Sequence, residues 1–199
     1  KLSGFKVTDR FFWNVHLDGM EASHDKAVER EGVFAEAIEG IKAAKAAGFL
    51  VCTNTTIYKE TDMHEIAVLM QYLTELGVDG FMMSPAYGYD AVHATNPNGA
   101  QEIFMTRQDV HQKFREAKRL LSAHRLNTSP LYLEFLRGER ELRCAAWANP
   151  TRNVRGWKGP CYLITDTHHK TFNDLLDKTD WDKLGQGNDP RCEHCMVHC

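Results

Sequence analysis

Five of the six cysteines lie in the last 56 of 199 residues, as Cys144, Cys161, Cys192, Cys195 and Cys199. The tail reads Cys192-Glu193-His194-Cys195-Met196-Val197-His198-Cys199, and Cys144 and Cys161 lie a loop upstream, so two groups of thiols can converge on one centre. Four thiolates suit an iron-sulfur cluster, because sulfur ligands stabilise the delocalised iron charge. The same cysteines, or three of them with His194 or His198, would also hold a structural zinc ion. Zinc knuckles usually pair two short cysteine hooks. Here sixteen residues, including Gly156 and Pro160, separate Cys144 from Cys161, which favours the cluster.

Bulk properties narrow the setting. The chain is long enough for one full core and a small appendage. A net charge of −3, with 26% charged residues, supplies no basic field for nucleic acid. No apolar run approaches the roughly 20 residues that span a bilayer, and the start, Leu2-Ser3-Gly4-Phe5, lacks the apolar core of a secretory leader, so a cytoplasmic protein with reduced thiols is expected rather than a disulfide framework. The chain begins without Met and stops on a candidate ligand, which reads as a fragment.

Elements that would position a site recur along the first two thirds. Phe11 to Leu17 is a short apolar strand that ends at Asp18-Gly19. Phe34, Ala37, Ile38, Ile41 and Ala44 fall at helical spacing, Gly48 stops that helix, and Phe49 to Thr55 forms the next strand. Ile66, Leu69, Met70, Leu73 and Leu76 line a second helix, closed by Gly77, before a third strand from Val78 to Met83. Strand-helix alternation means parallel strands with right-handed crossovers, hence an α/β fold. An amphipathic helix over Thr106 to Ala123 follows the Asn96-Pro97-Asn98-Gly99 loop, then a short helix from Pro130 to Gly138; the domain boundary is expected near Ser129, giving units 1–128 and 129–199.

In such sheets the loops leaving the carboxyl ends of the strands build the site. Those ends carry His16 and Asp18, then Asn54, then Ser84, Tyr87 and Tyr89. Asp18 can accept from two donors of a ribose or an ammonium group, or make an Asx turn with Gly19. Asp25 beside His24 can position a cofactor or cap a helix. Asn54 can bond a ligand or the local backbone, and Cys52 alternates onto the same face, with burial in the core as the blander alternative. Tyr87, Tyr89, Trp147 and Trp157 can line an apolar pocket, although aromatics at this frequency usually serve the core.

Val15-His16-Leu17-Asp18-Gly19, His24-Asp25 and Glu31-Gly32-Val33-Phe34 together resemble the fourth-strand segment of radical S-adenosylmethionine (SAM) enzymes. Gly156, separated by four residues from Cys161, is similar to the opening of the SPASM or twitch auxiliary-cluster domains. Longer stretches, Arg10 to Met20, Thr53-Asn54-Thr55-Thr56, Ala148-Asn149-Pro150-Thr151, Gly159-Pro160-Cys161-Tyr162-Leu163, Thr179-Asp180-Trp181-Asp182 and Cys195 to Cys199, resemble the adenosylhopane synthases of hopanoid biosynthesis.

That resemblance implies the C-terminal half of a partial (β/α)6 TIM-like barrel with a cysteine-rich auxiliary domain. It implies SAM and [4Fe-4S] clusters as cofactors, and a 5′-deoxyadenosyl radical that adds to the alkene of diploptene, a hopene triterpene. It implies a reducing donor such as flavodoxin or ferredoxin, and transient contact with a membrane surface. Carried over, His16, Asp18, Asn54 and Ser84 fall where the fourth to sixth strands approach SAM, and Cys144, Cys161, Cys192 and Cys195, with Cys199 as a fifth candidate, fall on the auxiliary ligands. The family's Cys-x3-Cys-x2-Cys loop and its Gly-Gly-Glu segment do not occur in this chain, so roughly a hundred upstream residues of a partial barrel are expected. The rival readings are another radical SAM enzyme with an auxiliary cluster, such as a peptide-modifying one, and a non-catalytic zinc-binding α/β protein.

Overall fold

The computed structural model describes residues 2–86 and 104–197. Tyr87, Tyr89, His198, Cys199 and the Asn96 to Gly99 loop lie outside them.

Three parallel strands, β1 (Phe12–His16), β2 (Leu50–Ile57) and β3 (Gly80–Pro85), stand in sequence order. Between them lie the short helix α1 (Glu21–Ala27), α2 (Val33–Ala46) and α3 (Met63–Glu75), and α4 (Arg107–Leu120) and α5 (Pro130–Leu136) follow. The expected α/β alternation is present, with α1 as an addition that the periodicity did not reveal. The sheet gains the beginning of a fourth parallel position where Leu126 bridges to Phe81: Phe81 N donates to Arg125 O (3.1 Å) and Asn127 N to Phe81 O (2.7 Å).

The helices form where their apolar residues make one stripe and their ends are capped. In α2 the buried positions are Phe34, Ile38, Ile41 and Ala44, and in α3 they are Met63, Ile66, Leu69, Met70 and Leu73. Asp62 caps α3 by accepting from His64 N, and Thr106 and Asp109 form a reciprocal capping box on α4. These stripes pack on the Val51, Thr53, Thr55, Ile57, Phe81 and Met83 side of the sheet, in one core that also takes in Phe135 and Leu136 of α5. Burial of each large aliphatic or aromatic side chain there contributes about 1.5–3 kcal/mol.

The opposite face is different in kind. Register places Asn14, Cys52 and Gly80 in one row, His16, Asn54 and Met82 in the next, and Thr56 with Ser84 beyond them. A Cβ at position 80 would stand 2.7 Å from Asn127 Cγ and displace that side chain, whose Nδ2 donates to Cys52 Sγ at 3.2 Å.

The C-terminal part holds a second, antiparallel sheet of β4 (Arg152–Asn153), β5 (Gly156–Gly159) and β6 (Thr167–His169), followed by α6 (Phe172–Lys178). Gly156 sits at φ +133, and a Cβ there would meet His169 O at 2.5 Å. Trp157 packs on Phe172 with ring centroids 5.1 Å apart, whereas Trp147 is half exposed.

Candidate SAM face and thiol centre

At the carboxyl end of β1 a polar network forms around a buried carboxylate. Asp18 Oδ2 lies 2.8 Å from His16 Nε2, and Thr56 N donates to Asp18 Oδ1 at 2.8 Å. The Tyr58 hydroxyl reaches the same carboxylate. An ionised carboxylate only accepts, so His16 Nε2 carries the proton and Nδ1 is the ring nitrogen left for a ligand. The bond to Asp18 holds His16 above the ordinary imidazole value against partial burial.

Asp18 itself is almost wholly enclosed, with its side chain 3% exposed, whereas His16 is 45% exposed. The network therefore presents His16 to the open face and keeps Asp18 behind it. The Asx turn with Gly19 does not form, because Met20 N donates instead to Glu65 Oε1 (3.0 Å), while Glu65 Oε2 accepts from Ser23 Oγ (2.9 Å). Asp18 N donates to His24 Nδ1 at 3.2 Å, which puts the His24 proton on Nε2. That Nε2 is buried without a hydrogen-bond partner, and burial pushes the His24 pKa down. Asp25 acts as a cap from outside α2: its carboxylate accepts from Gly32 N (2.5 Å) and Phe34 N (2.8 Å), which holds it below the usual carboxylate range.

His16 and Asn54 stand side by side in register, and Ser84 lies one row further along the same face beside Thr56. Cys52 shares this face but is 5% exposed, and burial raises its thiol pKa against the Asn127 hydrogen bond.

Far along the chain, the C-terminal thiols share one neighbourhood. Burial pushes the Cys161 thiol up, the amides of Ile164 and Leu163 pull it down by donating to sulfur, and the nearby Cys195 and Cys144 thiols add to the rise. Cys192 is pushed up to about 11, again chiefly by burial and with Cys195 and Cys144 contributing, while Gly185 N donates to its sulfur. Gly185 also lies against Cys144, whose Cβ would be 3.1 Å from a Cβ at that position. Cys195 N donates to Cys192 O at 3.1 Å. No disulfide joins the described cysteines.

Among the described residues no three His, Cys, Asp or Glu side chains are drawn to the spacing of a single metal ion. The sulfur donors would suit a thiolate-bound metal, iron or zinc. Backbone N–H groups aimed at sulfur stabilise the thiolate that would ligate, and a bound metal would offset the burial that chiefly raises these thiol pKa values. Sequence reasoning missed Gly185, whose part is visible only once Cys144 and Cys192 are brought to it.

Tertiary bonds tie the segment carrying Cys195 to α4 and α5. Arg107 Nη1 donates to Cys195 O (3.0 Å), and its guanidinium lies 5.2 Å from the Phe135 ring centroid. The Tyr132 hydroxyl donates to Met196 O (2.7 Å), and Met196 is fully buried in the main core. Arg191 bridges Asp166 and Asp189, tying the strand-connecting loop to the segment that carries Cys192.

Comparison with known proteins agrees with this geometry at the level of a superfamily. Residues 81–199 match the family described as a domain of unknown function, DUF3463. The chain is 30% identical over 112 residues to the GTP 3′,8-cyclase of Pseudomonas fluorescens (strain Pf0-1), a match over 55% of this chain and 32% of the cyclase. The aligned stretch therefore represents about a third of that enzyme's length. No helix among the described residues is long and apolar enough to cross a membrane. The family match over more than half of its length assigns the chain: it belongs to the DUF3463 family, and its similarity to the cyclase is of radical SAM type.

Proposed function

We propose that the chain is part of a radical SAM enzyme, forming the later strands of a partial barrel together with an auxiliary iron-sulfur unit, and that its substrate is the alkene of a hopene triterpene. The observation that supports the radical SAM reading best is the polar sheet face, on which His16, Asn54 and Ser84 align at the carboxyl ends of three parallel strands. When bound, SAM and a reduced [4Fe-4S] cluster supply a 5′-deoxyadenosyl radical, and a low-potential electron-donor protein supplies the electrons.

The chain's own residues orient and exclude. His16 offers Nδ1 as an acceptor to a ribose hydroxyl, Asn54 offers an amide with both donor and acceptor, and Ser84 offers a hydroxyl. Asp18 fixes the tautomer of His16 and so acts as a positioning residue. Cys144, Cys161, Cys192 and Cys195, with Cys199 as the fifth candidate, would hold the auxiliary cluster, whose role includes tying down the C-terminal part.

The hopene assignment draws on the residue resemblances from Arg10 to Met20 and from Gly159 to Leu163. The described face is polar along its rim, apart from Met82. It accordingly suits SAM, and the triterpene would be held by other walls of the cavity.

The test is anaerobic incubation of the enzyme carrying this chain with SAM, a low-potential reductant and either diploptene or GTP, followed by mass spectrometry. An adenosyl-hopane adduct is the expected product. Formation of 5′-deoxyadenosine with no hopene adduct would keep the radical SAM reading and reject the substrate. A product from GTP alone would replace the lipid by a nucleotide.

A further inference from the structure

Glu65 stands in the first turn of α3 and reaches back to a turn far from it in the sequence. Its Oε1 accepts from Met20 N at 3.0 Å and its Oε2 from Ser23 Oγ at 2.9 Å, across separations of 45 and 42 residues. Both partners belong to the start of α1, whose own N-cap, Met20, offers no side-chain hydrogen bond. Glu65 therefore supplies the cap from another element and seats α1 against α3. The turn leading into α1 is equally close: a Cβ on Gly19 would stand 2.7 Å from Ser23 Cβ and 3.3 Å from Glu65 Oε1.

This seat matters because α1 carries His24. His24 N donates to Met20 O at 2.8 Å, within the capped turn, and His24 Nδ1 accepts from Asp18 N at 3.2 Å. His24 is 1% exposed, and its Nε2 is buried without a hydrogen-bond partner. An unpaired buried donor costs free energy, so the surrounding structure holds this ring where it is. Asp18 is thus gripped at its backbone from α1, and at its carboxylate by Thr56 N and His16 Nε2, both at 2.8 Å. One line of bonds runs from Glu65 through α1 and His24 to Asp18 and His16.

We propose that Glu65 is a positioning residue of the SAM face: by seating α1 it fixes the direction in which Asp18 aims His16 Nδ1 at the ligand. The proposal rests on the SAM reading of that face and extends it to a residue that acts through others. Its hydrogen bonds carry the effect, since the charge that acts on His16 is that of Asp18. Glutamine at position 65 would keep both bonds, with its carbonyl accepting from Met20 N and its amide donating to Ser23 Oγ, because a hydroxyl accepts as well as donates.

The experiment compares wild type with Glu65→Gln, Glu65→Ala and Ser23→Ala in the full-length enzyme carrying this chain. Ring-proton NMR of the metal-free protein reads the His16 midpoint, equilibrium binding to the anaerobically reconstituted enzyme reads the SAM affinity, and circular dichroism checks folding. Glu65→Gln is expected to match wild type in both readings. Glu65→Ala should lower the His16 midpoint toward its ordinary value of about 6.5 and weaken SAM binding about tenfold, the equivalent of one well-aligned hydrogen bond. Ser23→Ala breaks one arm and should fall between them. A midpoint that drops equally with glutamine and alanine would make this a charge effect and overturn the proposal, as would an unmoved midpoint with alanine. Should Glu65→Ala fail to fold, an unchanged midpoint and SAM affinity in Ser23→Ala overturn it. The two readings fail separately: midpoints in the expected order with no SAM binding by wild type would keep the seat and reject the SAM face, whereas normal SAM binding with unmoved midpoints would keep the face and reject Glu65.

Discussion

The two halves of the molecule are stabilised by different physics. The parallel sheet and its helices bury a continuous apolar core from Leu17 to Leu136, with fully enclosed Ile41, Ile57, Leu69, Leu73 and Leu121. Beyond Leu136 the buried apolar side chains among the described residues are Leu175, Cys192, Met196 and Val197, and of these Met196 belongs to the first core. The second sheet is made of strands of two to four residues. A segment with so little apolar burial cannot offset its chain entropy from packing alone and needs a staple. The four thiols sit where a staple would act, between the segment before β4, the end of β5 and the tail.

This contrast predicts the largest effect for metal loss. The double variant Cys161→Ser, Cys192→Ser is expected to lose hydrogen-exchange protection throughout β4, β5, β6 and α6 while β2 and α3 stay protected. Equal protection in both halves would show that the second needs no metal. Next is Met196→Ala, which empties a fully buried position shared by the two halves and should cost about 2–5 kcal/mol in denaturant unfolding. Its effect should also loosen the tail that carries Cys195. A change below about 0.5 kcal/mol, the scatter of surface substitutions, would separate the halves.

Smaller effects concern the polar contacts. Tyr132→Phe removes the donor to Met196 O and should cost about 0.5–1.5 kcal/mol, read as faster exchange of the tail with the sheet unchanged. The pKa values of the two histidines near Asp18 are displaced in opposite directions. Because the folded His16 pKa is raised, its pairing with Asp18 stabilises the fold below the unfolded value of about 6.5 and is lost as pH climbs through the raised folded value. Burial lowers His24, so its contribution is present above about 6.5 and declines as pH falls toward the depressed folded value. Ring-proton NMR should show His16 titrating above His24, and Asp18→Asn should lower the His16 midpoint. An unmoved midpoint would contradict the positioning role of Asp18.

Much of the first half was legible from residue spacing. The stripes at Phe34, Ile38, Ile41 and at Ile66, Leu69, Leu73 announce α2 and α3, because helical period and burial coincide there. The second sheet was not legible: Arg152, Asn153 and the glycines at 156 and 159 break any alternation, and pairing alone makes these residues strands. At the site, the order of the cysteine groups suggests convergence; among the described residues the thiols influence one another electrostatically but do not form a metal-spaced group. The enclosure of Asp18 could not be anticipated, since Thr56 and Tyr58 meet it only when β1 and β2 align. The part of Glu65, forty-five residues from Met20, depends equally on tertiary contact.

The central claim is that the thiols of Cys144, Cys161, Cys192 and Cys195 form one iron-bearing centre that holds the second half together. Iron, sulfide and zinc analysis of the anaerobically reconstituted chain, with Mössbauer spectroscopy, tests it most directly. The account predicts about four irons and matching sulfide per chain, lost in the Cys161→Ser, Cys192→Ser variant. Stoichiometric zinc without iron, or a second half equally ordered with no metal bound, would contradict it.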